Sequence, residues 1–249
     1  MKNNPTGKAK ANVLTFDSDW SPSMVLELVL DMLDAAGGYK GVFFLTNRLE
    51  ESLMARLRDN INIQIGIHPN LRFNDPGFSI DTVIANLINE IPEATACRIH
   101  RLIWWPAIAK KLKAAGILYD SSVIMPYNPS IIPYRVHGIF QFPIYFGDSY
   151  FMIRETPFPG FSSVIKRDAM LRVFNFHPIH IYANTTCDND WQTMKKVLHN
   201  KDKLREAVEK MAVKNKKGIR DLFEQLIGIL KPGETYTLEE VSGLSEGEE

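Results

Sequence analysis

The chain has 249 residues, of which 45% are hydrophobic and 23% are charged, so it can bury a full hydrophobic core. Its 29 basic and 29 acidic side chains balance, which excludes the strongly basic surface that nucleic acids or acidic membranes attract. No segment reaches the roughly 18 uninterrupted apolar residues of a membrane span. The composition therefore argues against an integral membrane protein.

Two further features bear on the compartment and the domain organisation. The amino-terminal sequence is positively charged, but no apolar segment follows it as in a signal peptide. Cys97 and Cys187 are the only cysteines, which fits a reducing cytoplasm better than a disulfide scaffold. We therefore expect a cytoplasmic protein with one domain over residues 1–249, in which 1–11 and 244–249 are disordered tails.

Apolar and amphipathic segments alternate in the first half of the chain. The first helix has Ser21 as its predicted N-cap and Pro22 at its first helical position, and Gly37 or Gly38 ends it. Strands are predicted at 12–17, 41–46, 61–67 and 94–99, and further helices at 49–59, about 79–91 and 104–116. This βαβα order predicts a parallel sheet or a barrel.

The second half is less regular. Residues 125–160 hold many of the prolines and aromatic residues, so we expect irregular structure with short strands that covers or flanks a site. A buried strand is predicted at 170–176, and helical structure from about 200 to 230. Residues 231–241 (KPGETYTLEEV) predict a turn, a short strand and a last turn of helix.

Polar residues that can bind a metal or exchange a proton follow several of the predicted strands. In chain order these strand ends carry Asp17 with Asp19, His68, Arg98 with His100, and His177. Because the carboxyl ends of parallel strands meet on one face, we expect these side chains to lie in one pocket. The first two acids are two residues apart, so they point the same way if the strand continues through them.

Five segments resemble, in order, the five motifs of polysaccharide deacetylases, the NodB-like carbohydrate esterases of family 4. They are TFDSDW, IGIHPN, RIHRL, GILYDSS and FNFHPIHIY, and the resemblance extends over residues 12–185. The pattern is most similar to a divergent WbmS-like branch found with lipopolysaccharide O-antigen biosynthesis proteins. The resemblance implies an α/β fold, with a distorted (β/α) barrel of about seven strands.

The resemblance also implies a division of catalytic roles. Asp17 matches the general base, and Arg98 matches the arginine that orients this base by a charge-assisted hydrogen bond. His177 matches the histidine that protonates the leaving amine, and Asp120 matches the acid that tunes this histidine.

Family members bind a divalent metal, often zinc, through one aspartate and two histidines. Asp19 and His68 match the first two ligands, but Arg72 occupies the position of the second histidine and stays protonated. The replacement is His100, the amide oxygen of Asn70, or water. We favour His100, because imidazole suits zinc. The expected cofactor is thus a divalent metal, Zn²⁺, held by Asp19, His68 and His100.

Three residues are expected to bind substrate. They are His180, which lies three residues after His177, and Asn70 and Trp20, which are close in sequence to the proposed ligands. A pyranose ring packs well on an aromatic face, and core packing is the alternative for each such residue. The other candidates for sugar stacking are Trp104, Trp105, Tyr127 and Tyr134.

The function implied is that of a carbohydrate deacetylase, a hydrolase acting on carbon–nitrogen bonds other than peptide bonds. It would remove an N-acetyl or similar acyl group from a nucleotide-linked or lipid-linked sugar or glycan during surface polysaccharide synthesis. One alternative is hydrolysis of a non-sugar amide on the same scaffold. Another is a carbohydrate-binding pseudoenzyme, which the missing second histidine favours. The βαβα order argues against an iron oxygenase, whose similar ligand set usually lies on a β-helix.

Overall fold

The computed structural model describes residues 11–19, 21–73, 75, 77–153, 169–214 and 217–246, and its centre is a single β-sheet. The nine strands of this sheet, β1 to β9, are Ala11–Asp17, Gly41–Leu45, Ile63–Ile67, Ala96–Cys97, Tyr119–Asp120, Tyr134–Val136, Ile139–Gln141, Ile144–Gly147 and Leu171–Phe176. Their order across the sheet is β6-β7-β5-β4-β3-β2-β1-β9-β8. All neighbours pair in parallel except β6 and β7, which are antiparallel.

Helices connect the strands and continue beyond the last one. The described helices, α1 to α10, are Ser23–Ala35, Glu51–Asp59, Ile80–Glu90, Pro106–Ala114, Asp148–Ile153, Pro178–Ala183, Asp188–Lys195, Lys201–Lys214, Ile219–Ile229 and Leu238–Glu246. Short 3-10 turns lie at His100–Leu102 and Pro232–Glu234. Within the described ranges, no helix has the length and apolar character to cross a membrane.

The predicted α/β class is confirmed, and the sheet curls into a half-barrel. The expected number of about seven strands is wrong, because the structure has nine. The additional strands come from the proline-rich middle segment, where β6, β7 and β8 have only three or four residues each. Strands this short show too few alternations for a period of two to be recognised.

The strands β1 and β2 are buried along their whole length, because helices cover the sheet. Apolar and aromatic side chains therefore point to both faces, and the rings of Phe16 and Phe43 stack with centroids 4.8 Å apart. The burial of these strands fixes their register. Polar residues are left to the strand ends, where the side chains described below converge.

The ends of α1 differ in part from the prediction. The helix begins at Ser23 with Pro22 as N-cap, so the assignment of Ser21 as N-cap is wrong. The Ser21 hydroxyl is buried and has no partner among the described residues. The carboxyl end is as predicted, since Gly37 and Gly38 have φ angles of +113° and +77° that side-chain-bearing residues adopt with strain.

The carboxyl-terminal segment returns to the start of the sheet. Thr235 forms a parallel bridge with Asn12, which is the short extended segment predicted there. Helix α10 continues to Glu246, so residues 244–246 are helical although they were assigned to a tail. Ala11 likewise belongs to β1. The rest of the two predicted tails, 1–10 and 247–249, lies outside the described residues.

Candidate active site

The polar strand ends meet because of the strand order. The chain leaves β1 towards β2 and returns on the other side of β1 as β8 and β9, so the strand order reverses at β1. In the register of the sheet, Asp17 lies opposite Phe44 and Phe16 lies opposite Phe176, which places the strand ends at one level. Ligands of parallel α/β sheets bind in the crevice at such a reversal.

Asp17 ends β1 and is buried, with 2% of its surface exposed. Its Oδ1 accepts a hydrogen bond from Arg98 Nη1 at 2.9 Å, and its Oδ2 accepts one from Asn175 Nδ2 at 3.0 Å. The Oδ2 atom also lies 3.8 Å from Nε2 of His177 and 4.0 Å from Nε2 of His68. Asp17 is therefore held on one side by a cation and an amide, and faces two imidazoles on the other.

Arg98 is fully buried and holds this corner of the sheet together. Its guanidinium makes five hydrogen bonds, to Thr15 Oγ1 (2.7 Å), Asp17 Oδ1 (2.9 Å), Asn175 Oδ1 (2.8 Å), and the carbonyl (2.8 Å) and hydroxyl (2.7 Å) oxygens of Ser121. It also lies over the Phe44 ring, 4.5 Å from the centroid. Three of these acceptors share Nη1, and Nε and Nη2 have one each, so every nitrogen of this buried charge has a partner.

Asp19, His68 and His100 form a compact group of potential metal ligands. Oδ1 of Asp19 lies 3.2 Å from Nε2 of His68 and 3.0 Å from Nδ1 of His100, and these two nitrogens are 3.3 Å apart. Nδ1 of His68 is 2.6 Å from the Arg98 carbonyl oxygen, which only accepts, so Nδ1 carries the proton. The Nε2 atom of His68 faces the Asp19 carboxylate, an arrangement that suits a cation held between the two.

The backbone and the charge state of Asp19 suit this role. It has a φ of +42°, in the left-handed region, so the chain turns sharply between β1 and α1. Burial alone would raise the pKa of the Asp19 carboxyl, but the charge of His177 and hydrogen bonds from His100, His177 and His68 hold it well below its usual value. Asp19 is therefore an ionised carboxylate at neutral pH.

His177 follows β9 and is oriented by Asp148, a residue that the sequence analysis missed. Its Nδ1 donates to Asp148 Oδ1 at 2.7 Å, its backbone N–H donates to Oδ2 at 2.6 Å, and its Nε2 lies 3.2 Å from Asp19 Oδ2. Burial lowers the pKa of His177, but the charges of Asp148 and Asp19 outweigh it and hold the pKa well above its usual value. Asp148 directly follows the apolar strand β8, which is the same strand-end pattern as at the other site residues. The sequence analysis missed Asp148 because it interpreted residues 125–160 as irregular structure with short strands.

Asp120 does not contact His177, in contrast to the expectation. It ends β5, which β4, β3 and β2 separate from β1, whereas His177 follows β9 on the other side of β1. The buried Asp120 accepts hydrogen bonds from the backbone N–H (3.0 Å) and hydroxyl (2.7 Å) of Ser122, whose Oγ in turn accepts from the Ile99 N–H. Asp120 thus braces the loop between Arg98 and His100. Burial raises its pKa to about 6.

A cavity of about 860 Å³ opens above these side chains. Of the predicted substrate-binding residues, Asn70 and His180 line it, and Trp20 lies outside the described residues. His180 is on α6, which Pro178 begins, and its buried ring lies 5.3 Å from the His177 ring. Burial lowers the pKa of His180 to about 4, so its ring is neutral.

The aromatic residues that line this cavity differ from those the sequence suggested. They are Tyr150, on α5, and Trp191, on α7. The other candidates for sugar stacking are not among the lining residues, and Trp104, Trp105 and Tyr127 pack against the core instead. Helix α7 was not predicted, because its sequence, DNDWQTMK, is too short and polar to show an apolar stripe.

The curled α/β sheet and the carboxylate–histidine cluster at its strand ends are features of the polysaccharide deacetylase class. The WbmS-like polysaccharide deacetylase family model matches residues 14–195, so the chain belongs to this family. A comparison with curated proteins found no match.

Solved structures share the fold. A protein from Bordetella bronchiseptica, described as a polysaccharide deacetylase involved in O-antigen biosynthesis, is 23% identical over 91% of this chain and 93% of its own, with a TM-score of 0.77. The 4-alpha-glucanotransferase of Thermococcus litoralis is 13% identical over 94% of this chain and 38% of its own, with a TM-score of 0.50. A family 4 carbohydrate esterase pseudoenzyme from Bacillus anthracis is 12% identical over 87% of this chain and 66% of its own, with a TM-score of 0.43. The first two likenesses, at 23% and 13% identity, concern the fold alone, and the third, with a TM-score of 0.43, carries no conclusion.

Proposed function

We propose that this chain is a metal-dependent deacetylase that hydrolyses the N-acetyl group, or a similar acyl amide, of a sugar. The observation that carries the proposal is that three kinds of catalytic group lie together in one cavity. A carboxylate for general base catalysis, a protonated imidazole for general acid catalysis and a three-ligand group lie within 4.0 Å of one another. Metal-dependent amide hydrolysis uses all three, whereas a sugar-binding module needs none of them.

The residues present fit a divalent cation. Nitrogen and oxygen ligands about 2.0–2.1 Å from one tetrahedral zinc ion stand about 3.3 Å from one another. The donor atoms of Asp19, His68 and His100 are 3.0 to 3.3 Å apart, close to that spacing. The carbonyl that accepts from Nδ1 of His68 fixes the orientation of this ring, as is usual for histidine ligands. His100 thus supplies the third ligand that Arg72 cannot supply.

The side chains of the protein divide the proton transfers between them. When bound, the cation would polarise the acyl carbonyl and make a water molecule easier to deprotonate. Asp17 would accept the proton of that water, and Arg98 and Asn175 hold its carboxylate in place beside the cavity. His177 would donate its Nε2 proton to the leaving amine nitrogen, while its bond to Asp148 keeps Nδ1 protonated and Nε2 toward the substrate.

The biological setting is proposed from the family and from the B. bronchiseptica structure. That protein is described as involved in O-antigen biosynthesis. We place this chain in the same kind of process, the assembly of a surface polysaccharide, with a nucleotide-linked or lipid-linked acetamido sugar as substrate. Zinc is the proposed metal, because two imidazoles and one carboxylate suit it better than magnesium or calcium.

Metal analysis combined with acetate release tests the proposal. Purified protein supplied with Zn²⁺ should retain about one metal ion per chain and release acetate from N-acetylated sugar nucleotides. Asp17→Asn and His177→Ala should each lower kcat by about 10²- to 10⁴-fold while metal content stays unchanged. Asp202→Asn and His137→Ala, which change exposed residues outside the cavity, are the matched controls and should leave kcat unchanged.

The same experiment addresses the pseudoenzyme. A protein that binds no metal and hydrolyses no acetamido sugar would exclude the deacetylase. Retained metal with full activity in Asp17→Asn would remove only the assignment of Asp17 as base.

A further inference from the structure

Two arginines line the cavity beside the three proposed metal ligands and have no role in the mechanism above. Arg72 follows β3 at the position that the deacetylase resemblance assigns to the second histidine ligand, and Arg101 directly follows His100. A hydrogen bond from the His100 N–H to the Pro69 carbonyl, at 3.0 Å, joins the loops that carry them. We call Arg72 and Arg101 the arginine pair.

The charges of the arginine pair are not neutralised by the described part of the protein. Across the described ranges, no ion pair or side-chain hydrogen bond involves Arg72 or Arg101. Some other surface arginines are paired, such as Arg56 with Asp31 and Asp34. The arginine pair is also exposed, so both side chains can reach a ligand in the cavity.

The backbone at Arg101 is fixed in an unusual conformation. Arg101 and Leu102 have φ angles of +64° and +56°, so two consecutive residues with bulky side chains are left-handed. The turn is held by the bond from Leu102 N–H to the Ile99 carbonyl, at 2.9 Å, as well as by the bond from His100 to Pro69. Such strain persists where the surrounding structure determines it and is concentrated at functional sites. Here it places Arg101 on the cavity wall.

The acids that line the cavity form no described ion pair with Arg72 or Arg101. Asp17 is paired with Arg98, and Asp19 is surrounded by imidazoles and would face a divalent cation. The third lining acid, Asp188, is offset by Lys195, which lies on the same helix and also lines the cavity. The lining side chains thus carry three carboxylates and three cations, Arg72, Arg101 and Lys195, and the arginine pair supplies the two cations beside the proposed metal ligands.

We propose that Arg72 and Arg101 form a subsite for an anionic group of the substrate, a phosphate or a carboxylate on the molecule that carries the acyl amide. This inference rests on the proposed function and narrows its substrate class to negatively charged acetamido sugars. A guanidinium presents a planar fork of donors that matches both kinds of anion and binds either in a bidentate manner. The phosphates of a nucleoside diphosphate sugar and the carboxylate of a uronic acid share this chemistry.

The test compares three substrates, each as kcat/KM of the metal-loaded protein. They are a neutral methyl glycoside of an N-acetylhexosamine, a nucleoside diphosphate N-acetylhexosamine and an N-acetylhexosaminuronic acid. The wild type should prefer at least one anionic substrate over the neutral glycoside by tenfold or more. The double variant Arg72→Gln, Arg101→Gln should lose about ten- to a hundredfold on that substrate and less than threefold on the neutral one.

The control is Arg205→Gln, which removes an exposed arginine on α8 outside the cavity and should change none of the three values. Metal content and Tm should match between wild type and variants. The KM of the preferred anionic substrate should rise with salt in the wild type and less in the double variant. Preference for the nucleotide sugar identifies phosphate as the anion, and preference for the uronic acid identifies carboxylate.

The outcomes separate this inference from the proposed function. Equal hydrolysis of all three substrates, unaffected by the double substitution, overturns the anion subsite and leaves the deacetylase intact. No hydrolysis of any substrate by metal-loaded wild type counts against the deacetylase. In that case, calorimetric titration of the same three compounds decides: tighter binding of an anionic compound to wild type than to the double variant supports the subsite, and equal binding refutes it.

Discussion

Removal of the buried guanidinium of Arg98 should destabilise the protein more than most single substitutions. Arg98→Met keeps much of the side-chain volume but leaves the Asp17 carboxylate buried and without its cation, and breaks all five hydrogen bonds. Breaking a buried ion pair by removing one partner costs about 3–5 kcal/mol. The free energy of unfolding of a whole domain is about 5–15 kcal/mol. We expect urea unfolding to show that Arg98→Met lowers this free energy by about 4 kcal/mol.

A double-mutant cycle isolates the contribution of the pair. In the Arg98→Met background, Asp17→Asn removes the unpaired negative charge and should restore part of the lost free energy of unfolding. The effects of the two substitutions should therefore be non-additive by about 1–3 kcal/mol. Arg98→Lys keeps the charge but cannot reproduce a five-bond fork, and should lie between Arg98→Met and the wild type. Arg205→Gln is the surface control. A loss below about 1 kcal/mol for Arg98→Met, or full additivity with Asp17→Asn, would refute the view that Arg98 holds this corner together.

Three further predictions concern packing, pH and metal. Gly66→Ala should lower the free energy of unfolding by about 1–3 kcal/mol, because the new Cβ would lie 2.7 Å from the Phe44 ring. The control is Gly228→Ala, on the open surface of α9, which should be neutral or stabilising in the same denaturation assay. Burial raises the pKa of the Asp120 carboxyl to about 6 in the folded state. Its contribution to the free energy of unfolding is therefore complete below its unfolded pKa and is lost as the pH rises through 6. Measured by urea unfolding, the stability of Asp120→Asn relative to wild type should increase by about 2 kcal/mol between pH 4.5 and pH 7. Zn²⁺ at 100 times its Kd should stabilise the wild type by about 2.7 kcal/mol, measured as a rise in Tm, and His100→Ala should abolish most of this gain.

Each of these has a result that contradicts its reasoning. Equal stability of the two glycine variants would mean that the strands separate freely enough to admit a Cβ at residue 66. A stability difference between Asp120→Asn and wild type that does not change with pH would show that Asp120 titrates normally. If Zn²⁺ stabilises His100→Ala as much as wild type, the third ligand is Asn70 or water rather than His100.

The sequence predicts much of this site because each residue follows a strong local pattern. Asp17, Asp19, His68, His100 and His177 all follow strands that are apolar enough to be recognised alone. The parallel order of those strands then requires their carboxyl ends to meet. The structure brings all five together. Their catalytic and ligand roles stay predictions until the experiments above are done.

The sequence does not predict the neighbours that depend on strand order. Asp120 ends one short strand and Asp148 follows another, and only the order across the sheet decides which one reaches His177. Asp148 follows β8, which pairs with β9, so it is adjacent, whereas Asp120 ends β5 several strands away. Trp191 was not predicted as a cavity residue for a different reason, because it lies on a short polar helix without an apolar stripe.

The contacts that hold Asp17 also determine when the site can exist during synthesis of the chain. Arg98 is 81 residues later in the sequence and Asn175 is 158 residues later, so no contact that orients the carboxylate is local. Contacts between distant residues form only after the intervening chain has closed. A nascent chain that lacks β9 therefore has neither the amide that positions Asp17 nor the histidine that faces it, and deacetylase activity would report completion of the whole sheet rather than of any part.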